Sequence, residues 1–209
     1  MGARDSDVDR ASITGAIVAG GENARFGGRP KGLYRVGGGR IIDRVAAALR
    51  PVVQTVVLIA NDPDAAQWLP GVPVYRDEGA ARGSMVGLET AVRHTGGPVL
   101  VVAWDMPFVE PGLLALIESG LTAGVNAVVP EGPRGPEPMC ALYTPECLPA
   151  IERALADGDL RLGSLVARLP GLIRIPLDRV AALADPARLF FNVNDQADLE
   201  LAERMAGTI

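Results

Sequence analysis

Five consecutive apolar residues, Val99-Leu100-Val101-Val102-Ala103, constrain this chain more than any other feature. A strand that is apolar at every position has to be covered on both faces, which is the condition of a central strand in a parallel sheet with helices above and below it. Similar runs accompany it at Ala16-Ile17-Val18, Thr55 to Ala60, Pro73 to Tyr75, Ala127-Val128-Val129, Met139 to Tyr143 and Leu172 to Ile175. Between them, apolar residues recur at helical spacing in Ile41 to Leu49, Ser84 to Val92, Pro111 to Glu118, Glu146 to Ala156, Leu162 to Leu169 and from Asp195 onward. Ser84 and Asp195 are placed to cap their helices, and Pro111 suits a first turn. The alternation predicts an α/β fold: a single-domain three-layer sandwich around a mostly parallel sheet, with residues 1–13 as a polar leader and residues 14–209 as the domain. Ligands of such sheets bind at the carboxyl ends of the strands, so the loops that follow the strands carry the functional argument.

Charge and composition exclude several classes of partner. The formal net charge of -5 over 209 residues offers no general attraction for nucleic acid or for an anionic membrane. No apolar run reaches the roughly 20 residues of a membrane span, and the first dozen residues are charged where a signal peptide would be apolar. The expectation is a cytoplasmic protein. Cys140 and Cys147 lack the spacing of a zinc site and read as two buried free thiols.

The loop after the first strand, AGGENARFGGRPKG from Ala19 to Gly32, carries the strongest functional signal. Gly20 and Gly21 let the backbone approach a ligand closely, and successive amide N–H groups can then face phosphate oxygens. Arg25 and Lys31 add positive charge beside them, so a polyphosphate is the natural partner. The loop is not a Walker loop, because Lys31 precedes Gly32 where Ser or Thr is required; nor does it contain G-x-G-x-x-G.

A second cluster, AWDMPFV, follows the five-residue apolar run. Asp105, read as an exposed carboxylate at a strand's end, is suited to ligate Mg²⁺, a hard cation that bridges carboxylate and phosphate oxygens. Asn61 ends one strand and Asp77 follows another, which puts both on the binding edge, although turn residues of these types are common. In FFNVNDQADLE, Asn192 and Asn194 fall on one side of an extended strand and Asp195 caps the last helix. Gly158, Asp159 and Arg161 belong either to a binding pocket or to an interhelical turn. His94, the sole histidine, is expected as a solvated helix end.

Taken with their order, these motifs resemble the molybdenum cofactor guanylyltransferases, of the nucleotidyltransferase superfamily. The resemblance rests on Ala19-Gly20-Gly21, Arg25, Gly27-Gly28 and Lys31, on the Asp-x-Pro stretch at Asp105, and on Asn192-Val193-Asn194; it extends from Ala16 to about Leu201. It implies a Rossmann-like nucleotidyltransferase fold that binds GTP and molybdopterin, or the molybdenum cofactor. GMP would be transferred to the pterin phosphate, with Mg²⁺ as cofactor. On that resemblance Val18, Ala19, Gly20, Gly21, Lys31, Asn61, Asp77 and Asp105 bind the nucleotide. Lys31, Arg25 and Asp105 act in catalysis, and Asp105 also binds the metal. Asn192, Asn194, Asp159 and Arg161 lie on the acceptor side. Cofactor-synthesis and molybdoenzyme-maturation proteins become candidate partners.

Two residues bear on the base: Gly20, where the cytidylyl branch tends to carry alanine, and Asp77, whose carboxylate matches the N1–H and N2–H donors of guanine. Two details depart from the guanylyl pattern. Arg82-Gly83-Ser84-Met85 replaces a Gly-Pro-Leu run, and Glu137, in PEPMCALY, stands where many relatives carry a basic or histidine residue. A CTP-dependent cytidylyltransferase, a sugar-phosphate nucleotidyltransferase and a non-catalytic carrier remain alternatives.

Overall fold

The computed structural model describes residues 13–20, 25–26, 29–78 and 83–207. Eight strands build the main sheet: β1 (Thr14–Ala19), β2 (Thr55–Ala60), β3 (Val74–Tyr75), β4 (Val99–Ala103), β5 (Ala127–Gly132), β6 (Gly135–Pro136), β7 (Cys140–Tyr143) and β8 (Leu172–Ile175). Their order is β6-β5-β7-β4-β1-β2-β3, with β8 paired to β5. β1 runs parallel to both β2 and β4, β2 parallel to β3, and β5 parallel to β8, whereas β7 lies antiparallel between β4 and β5. The sheet is therefore mostly parallel, and β4 sits inside it as its apolar sequence predicts. Two short ribbons, Arg25–Phe26 with Arg29–Pro30 and Arg35–Val36 with Gly39–Arg40, stand apart from it.

Strand alternation sends side chains into two cores. Ile17, Leu100 and Val102 pack on one side, with Ile41, Ile42, Val45 and Leu49 of α1 (Ile41–Leu49) and with Leu113, Leu114 and Ile117 of α3 (Pro111–Ser119). Ala16, Val18, Val99 and Val101 pack on the other, against Leu88 and Val92 of α2 (Ser84–Thr95) and Ile151 of α4 (Leu148–Ala156). Four further helices follow: α5 (Leu162–Val166), α6 (Leu177–Ala181), α7 (Pro186–Leu189) and α8 (Gln196–Ala206). The result is three layers in a single domain. Ile13, assigned to the leader by sequence, is fully buried in the first of these cores.

Three local readings are corrected. Ser84 does not cap α2: it is the first helical residue, with Gly83 at the cap position at φ 135°, a conformation open to glycine and strained for other residues. Asn192 and Asn194 are not on a strand, because no ladder forms there; a single backbone bond, from the Val193 N–H to the Asp105 carbonyl at 2.9 Å, ties the segment to the loop after β4. His94 is not a freely solvated end residue, since its ring stacks on Tyr75 at 5.0 Å between centroids. Asp195 caps α8 as expected, accepting from the Asp198 N–H. Cys140 and Cys147 are both buried and free, and burial pushes the Cys147 thiol up to about 11.

One glycine holds the lysine of the first loop in place. Gly32 follows Lys31 in a short 3₁₀ turn, and a Cβ at Gly32 would stand 2.6 Å from Cε3 of Trp104. Trp104 is itself stacked on Trp68 and buried, so the indole has little room to yield. Gly32→Ala is expected to lower stability by about 1–3 kcal/mol, the usual cost of overpacking. Denaturant melts of the two proteins check this; an unchanged midpoint would show that Trp104 is free to move.

Candidate active site

The site begins where β1 and β4 end side by side. Val18 pairs with Ala103 in the sheet, and just past this register the Trp104 N–H donates to the Val18 carbonyl at 3.2 Å. The loops after the two strands thus leave the sheet together. Ala19 is buried and Gly20 is partly open. Gly21 lies outside the described residues, as does the side chain of Arg25, so their assignments remain expectations.

Asp105 is not the exposed carboxylate expected from sequence. Its Oδ1 is buried and meets no hydrogen-bond donor among the described residues. Burial pushes its carboxyl up to about 6, against the opposing pull of the Lys31 ammonium, while Asp198 adds a smaller upward push. An ionised oxygen held away from water without a donor is costly unless a ligand supplies positive charge.

Lys31 is 4% exposed, and its Nζ donates to Asn194 Oδ1 at 3.4 Å. No described carboxylate forms an ion pair with it. Asn194 in turn is fixed by its backbone N–H, which donates to Asp198 Oδ2 at 2.9 Å. Residues 31, 105 and 194, distant in sequence, therefore converge through one backbone bond and one side-chain bond. Asn192 joins them: it lines a cavity of about 260 Å³ together with Val18, Gly20, Ser84, Asp105 and Glu137.

Asn61 and Asp77 form a separate polar group on the same edge of the sheet, beyond β2 and β3. The Asn61 amide donates to Asp77 Oδ2 at 2.6 Å, and the Asp77 N–H returns a bond to Asn61 Oδ1 at 2.9 Å. Thr90 of α2, 1% exposed, donates to Asp77 Oδ1 at 3.0 Å. The carboxylate is thereby locked in orientation, and each oxygen keeps a lone pair for a further donor. Sequence reasoning missed Thr90, although a threonine on the apolar face of α2 is a readable signal.

Asp159 and Arg161 are in the turn between α4 and α5, where they pair with each other at 2.9 Å, and Arg168 approaches Asp159 at 3.4 Å. Their ion pairs run among themselves, and neither residue lines the cavity beside Asp105. Among the described residues no three His, Cys, Asp or Glu side chains gather as a ready-made metal cluster. A cation at Asp105 would have to draw its remaining oxygens from asparagine, water and substrate, which is the usual habit of Mg²⁺.

Comparison with known proteins bears on the family and the fold. The molybdenum cofactor guanylyltransferase of Desulfosudis oleivorans is 33% identical over 195 residues, covering 92% of this chain and 95% of the relative. A probable molybdenum cofactor guanylyltransferase of Deinococcus radiodurans is 35% identical over 199 residues, with 92% and 95% covered. Among solved structures, the molybdopterin-guanine dinucleotide biosynthesis protein A of Archaeoglobus fulgidus superposes with a TM-score of 0.79 at 28% identity, over 94% of this chain and all of that one. The 2-C-methyl-D-erythritol 4-phosphate cytidylyltransferase of Thermus thermophilus shares the fold, with a TM-score of 0.60 at 20% identity over 95% of this chain and all of that one. The family described as the MobA-like NTP transferase domain matches residues 15–172, and this chain belongs to it.

Proposed function

We propose that this protein transfers GMP from GTP to the phosphate of molybdopterin, or of the molybdenum cofactor, and releases pyrophosphate. The observation that carries the reading is the convergence, among the described residues, of a buried Lys31 ammonium whose hydrogen bond runs to Asn194 and to no carboxylate with a buried carboxylate oxygen of Asp105 that meets no donor. A phosphate satisfies the first, and a divalent cation satisfies the second.

The reaction needs no protein nucleophile. An oxygen of the acceptor phosphate forms a bond to the α-phosphorus of GTP, and the bond from that phosphorus to the bridging oxygen breaks, so pyrophosphate leaves with the electron pair. The obstacle is repulsion between two anions, and the protein's part is to place and neutralise them. Lys31, with Arg25 and the amides after Ala19, would hold the phosphates. Asp105, with Asn192 or Asn194, would hold Mg²⁺, which supplies charge neutralisation at the transferring phosphoryl group when bound. The orphaned oxygen of Asp105 fits that ion. The protein would act in the cytoplasm, in keeping with the absence, among its described residues, of a helix long and apolar enough to cross a membrane. Nucleic acid is not among the partners we propose.

Asp77 is the residue that would select the base. Asn61 and Thr90 hold its carboxylate in one orientation, and the two remaining lone pairs suit the adjacent N1–H and N2–H donors of guanine. Cytosine offers one exocyclic amine beside acceptors, which would leave the carboxylate poorly paired. The expected kcat/KM for GTP exceeds that for CTP by about 10² or more, as polar sites discriminate against a substrate that lacks the matching donors. Equal values, or a preference for CTP, would overturn the base assignment.

A further inference from the structure

A second cavity, of about 370 Å³, lies between α1, the loop that leads from β4 into α3, and α7, and it shares no lining residue with the cavity beside Asp105. Its size is that of a small-molecule site. Ala47 and Ala48 of α1, with Pro107, Val109 and Pro111, give it apolar walls, and two arginines stand in it, Arg44 of α1 and Arg188 of α7. Both guanidiniums lie over the ring of the buried Phe108, with Cζ of Arg188 4.3 Å and Cζ of Arg44 6.0 Å from its centroid. Backbone carbonyls hold them there. Arg44 donates from Nε to Pro107 at 2.8 Å and from Nη1 to Val36 at 3.3 Å, and Arg188 donates from Nη1 to Met205, near the end of α8, at 2.7 Å.

These bonds fix position without cancelling charge. Among the described residues no carboxylate forms an ion pair with either arginine, and no acceptor meets Nη2 of Arg44 or Nε and Nη2 of Arg188. Glu110 lines the cavity as well, but it is exposed and pairs with neither. Two cations that share one ring repel each other, and the negative face of the ring offsets only part of that. A neutral apolar molecule in the cavity would leave the remaining N–H donors unused, and a bare inorganic anion would leave the apolar walls wet. A ligand with an anionic head and an apolar body answers both needs, the head as a planar or tetrahedral oxyanion suited to a guanidinium fork.

We propose that this cavity binds a small organic anion, its carboxylate or phosphate taken by Arg44 and Arg188 and its apolar body laid against Ala47, Ala48 and Val109. The site is separate from the proposed guanylyl transfer and does not depend on it. Its ligand would nevertheless bear on the same loop: Pro107, which accepts from Arg44, lies two residues beyond Asp105, and α7, which carries Arg188, leads directly into residues 190–194. An anion held by both guanidiniums ties α1 to α7 across that loop, so it binds the folded chain and raises its melting temperature.

The test is calorimetric titration of phenyl phosphate, benzoate and inorganic phosphate, without Mg²⁺, into the wild type, Arg188→Gln, Arg44→Gln and Lys31→Ala. Phenyl phosphate or benzoate is expected to bind the wild type with a Kd of about 1 mM or tighter, and whichever binds more tightly identifies the head group. Each arginine variant should weaken that binding about tenfold, the range of a lost charge-assisted hydrogen bond. Lys31→Ala, which removes the ammonium of the other cavity, should bind the probe with the wild-type affinity. Inorganic phosphate should bind about tenfold more weakly than phenyl phosphate, because it leaves the apolar walls uncovered. Arg188→Gln should melt no lower than the wild type in the absence of probe, since it relieves a like-charge contact; if Arg44→Gln fails to fold for want of its two carbonyl bonds, Arg188→Gln decides alone. Absence of binding by both organic probes overturns the proposal, as does affinity unchanged in Arg188→Gln. Loss of binding in Lys31→Ala also overturns it, by moving the probe to the site beside Asp105, and inorganic phosphate binding as tightly as phenyl phosphate removes the organic ligand.

Discussion

Asp105→Asn is expected to lower guanylyl transfer by about 10² to 10³ while making the metal-free protein more stable at pH 7 to 8. The first effect follows from the loss of the charge proposed to anchor Mg²⁺ at the transferring phosphoryl group, where electrostatic stabilisation carries most of the rate. The second follows from the direction of the Asp105 shift. Its carboxyl titrates near 6 in the folded protein against an ordinary value of 3.8. An acid whose folded value is raised destabilises the native state wherever it is ionised there, so this penalty is absent below about pH 4, grows as pH rises through 6, and is then constant. The neutral amide avoids it. The melting temperature of Asp105→Asn should therefore exceed that of the wild type at pH 7.5 without metal, and the gap should close near pH 4. Added Mg²⁺ should raise the wild-type melting temperature and leave the variant's unchanged. Near-wild-type turnover at limiting Mg²⁺, or a less stable variant at pH 7.5, would remove Asp105 from the role proposed.

This opposition between stability and activity explains which features were legible in the sequence. The fold was readable because its signals are local. The unbroken apolar run of β4 can be satisfied only inside a covered sheet, and the helical spacing of Ile41 to Leu49 defines the face that covers it. Lys31, Asp105 and Asn194 could be singled out as candidates too, since each stands just before or after an element in a motif the sequence displays, and the structure brings the three together. The burial of Lys31 and of Asp105 Oδ1 was not legible. A carboxylate at a strand's end is exposed by default, and nothing near Asp105 in sequence announces that residues 192–194 will fold over it through the Val193 N–H. That contact spans almost ninety positions and depends on where α7 delivers the chain.

The same limit applies to residues 190–194, which have the composition of a strand but form no ladder with any strand. The β-branched and aromatic content of Phe190-Phe191-Asn192-Val193 favours extended backbone, yet a strand exists only where a neighbour offers a ladder. Phe190 and Val193 instead anchor into the core, and the asparagines between and after them are left to face the site. Glu137 was visible in sequence only as a departure from a pattern. Its place in the cavity beside Asp105 comes from the β6–β7 link folding over Gly132, a tertiary contact with no local signature.

Lys31→Ala is expected to lower kcat by about 10² or more, because an ammonium preorganised at a transferring phosphoryl group is worth several kcal/mol in a site shielded from water. The structure supplies the preorganisation. Lys31 begins a 3₁₀ turn whose next residue, Gly32, is pressed against Trp104, and its Nζ is oriented by Asn194. Among the described residues that ammonium makes one long hydrogen bond, to Asn194, and no ion pair with a carboxylate, although its charge bears on Asp105. Its removal should therefore cost little stability, and it should let the Asp105 carboxyl rise further by withdrawing the charge that opposes burial. Two readouts separate catalysis from simple binding. If Lys31 acts on the transition state, kcat and kcat/KM fall together; if it only holds GTP, KM rises and kcat is preserved. Lys31→Arg should not restore the rate, since a planar guanidinium does not reproduce the compact point charge that Asn194 orients. An effect confined to KM, or full rescue by arginine, would reduce Lys31 to a phosphate-binding residue and leave the metal site at Asp105 as the main source of rate.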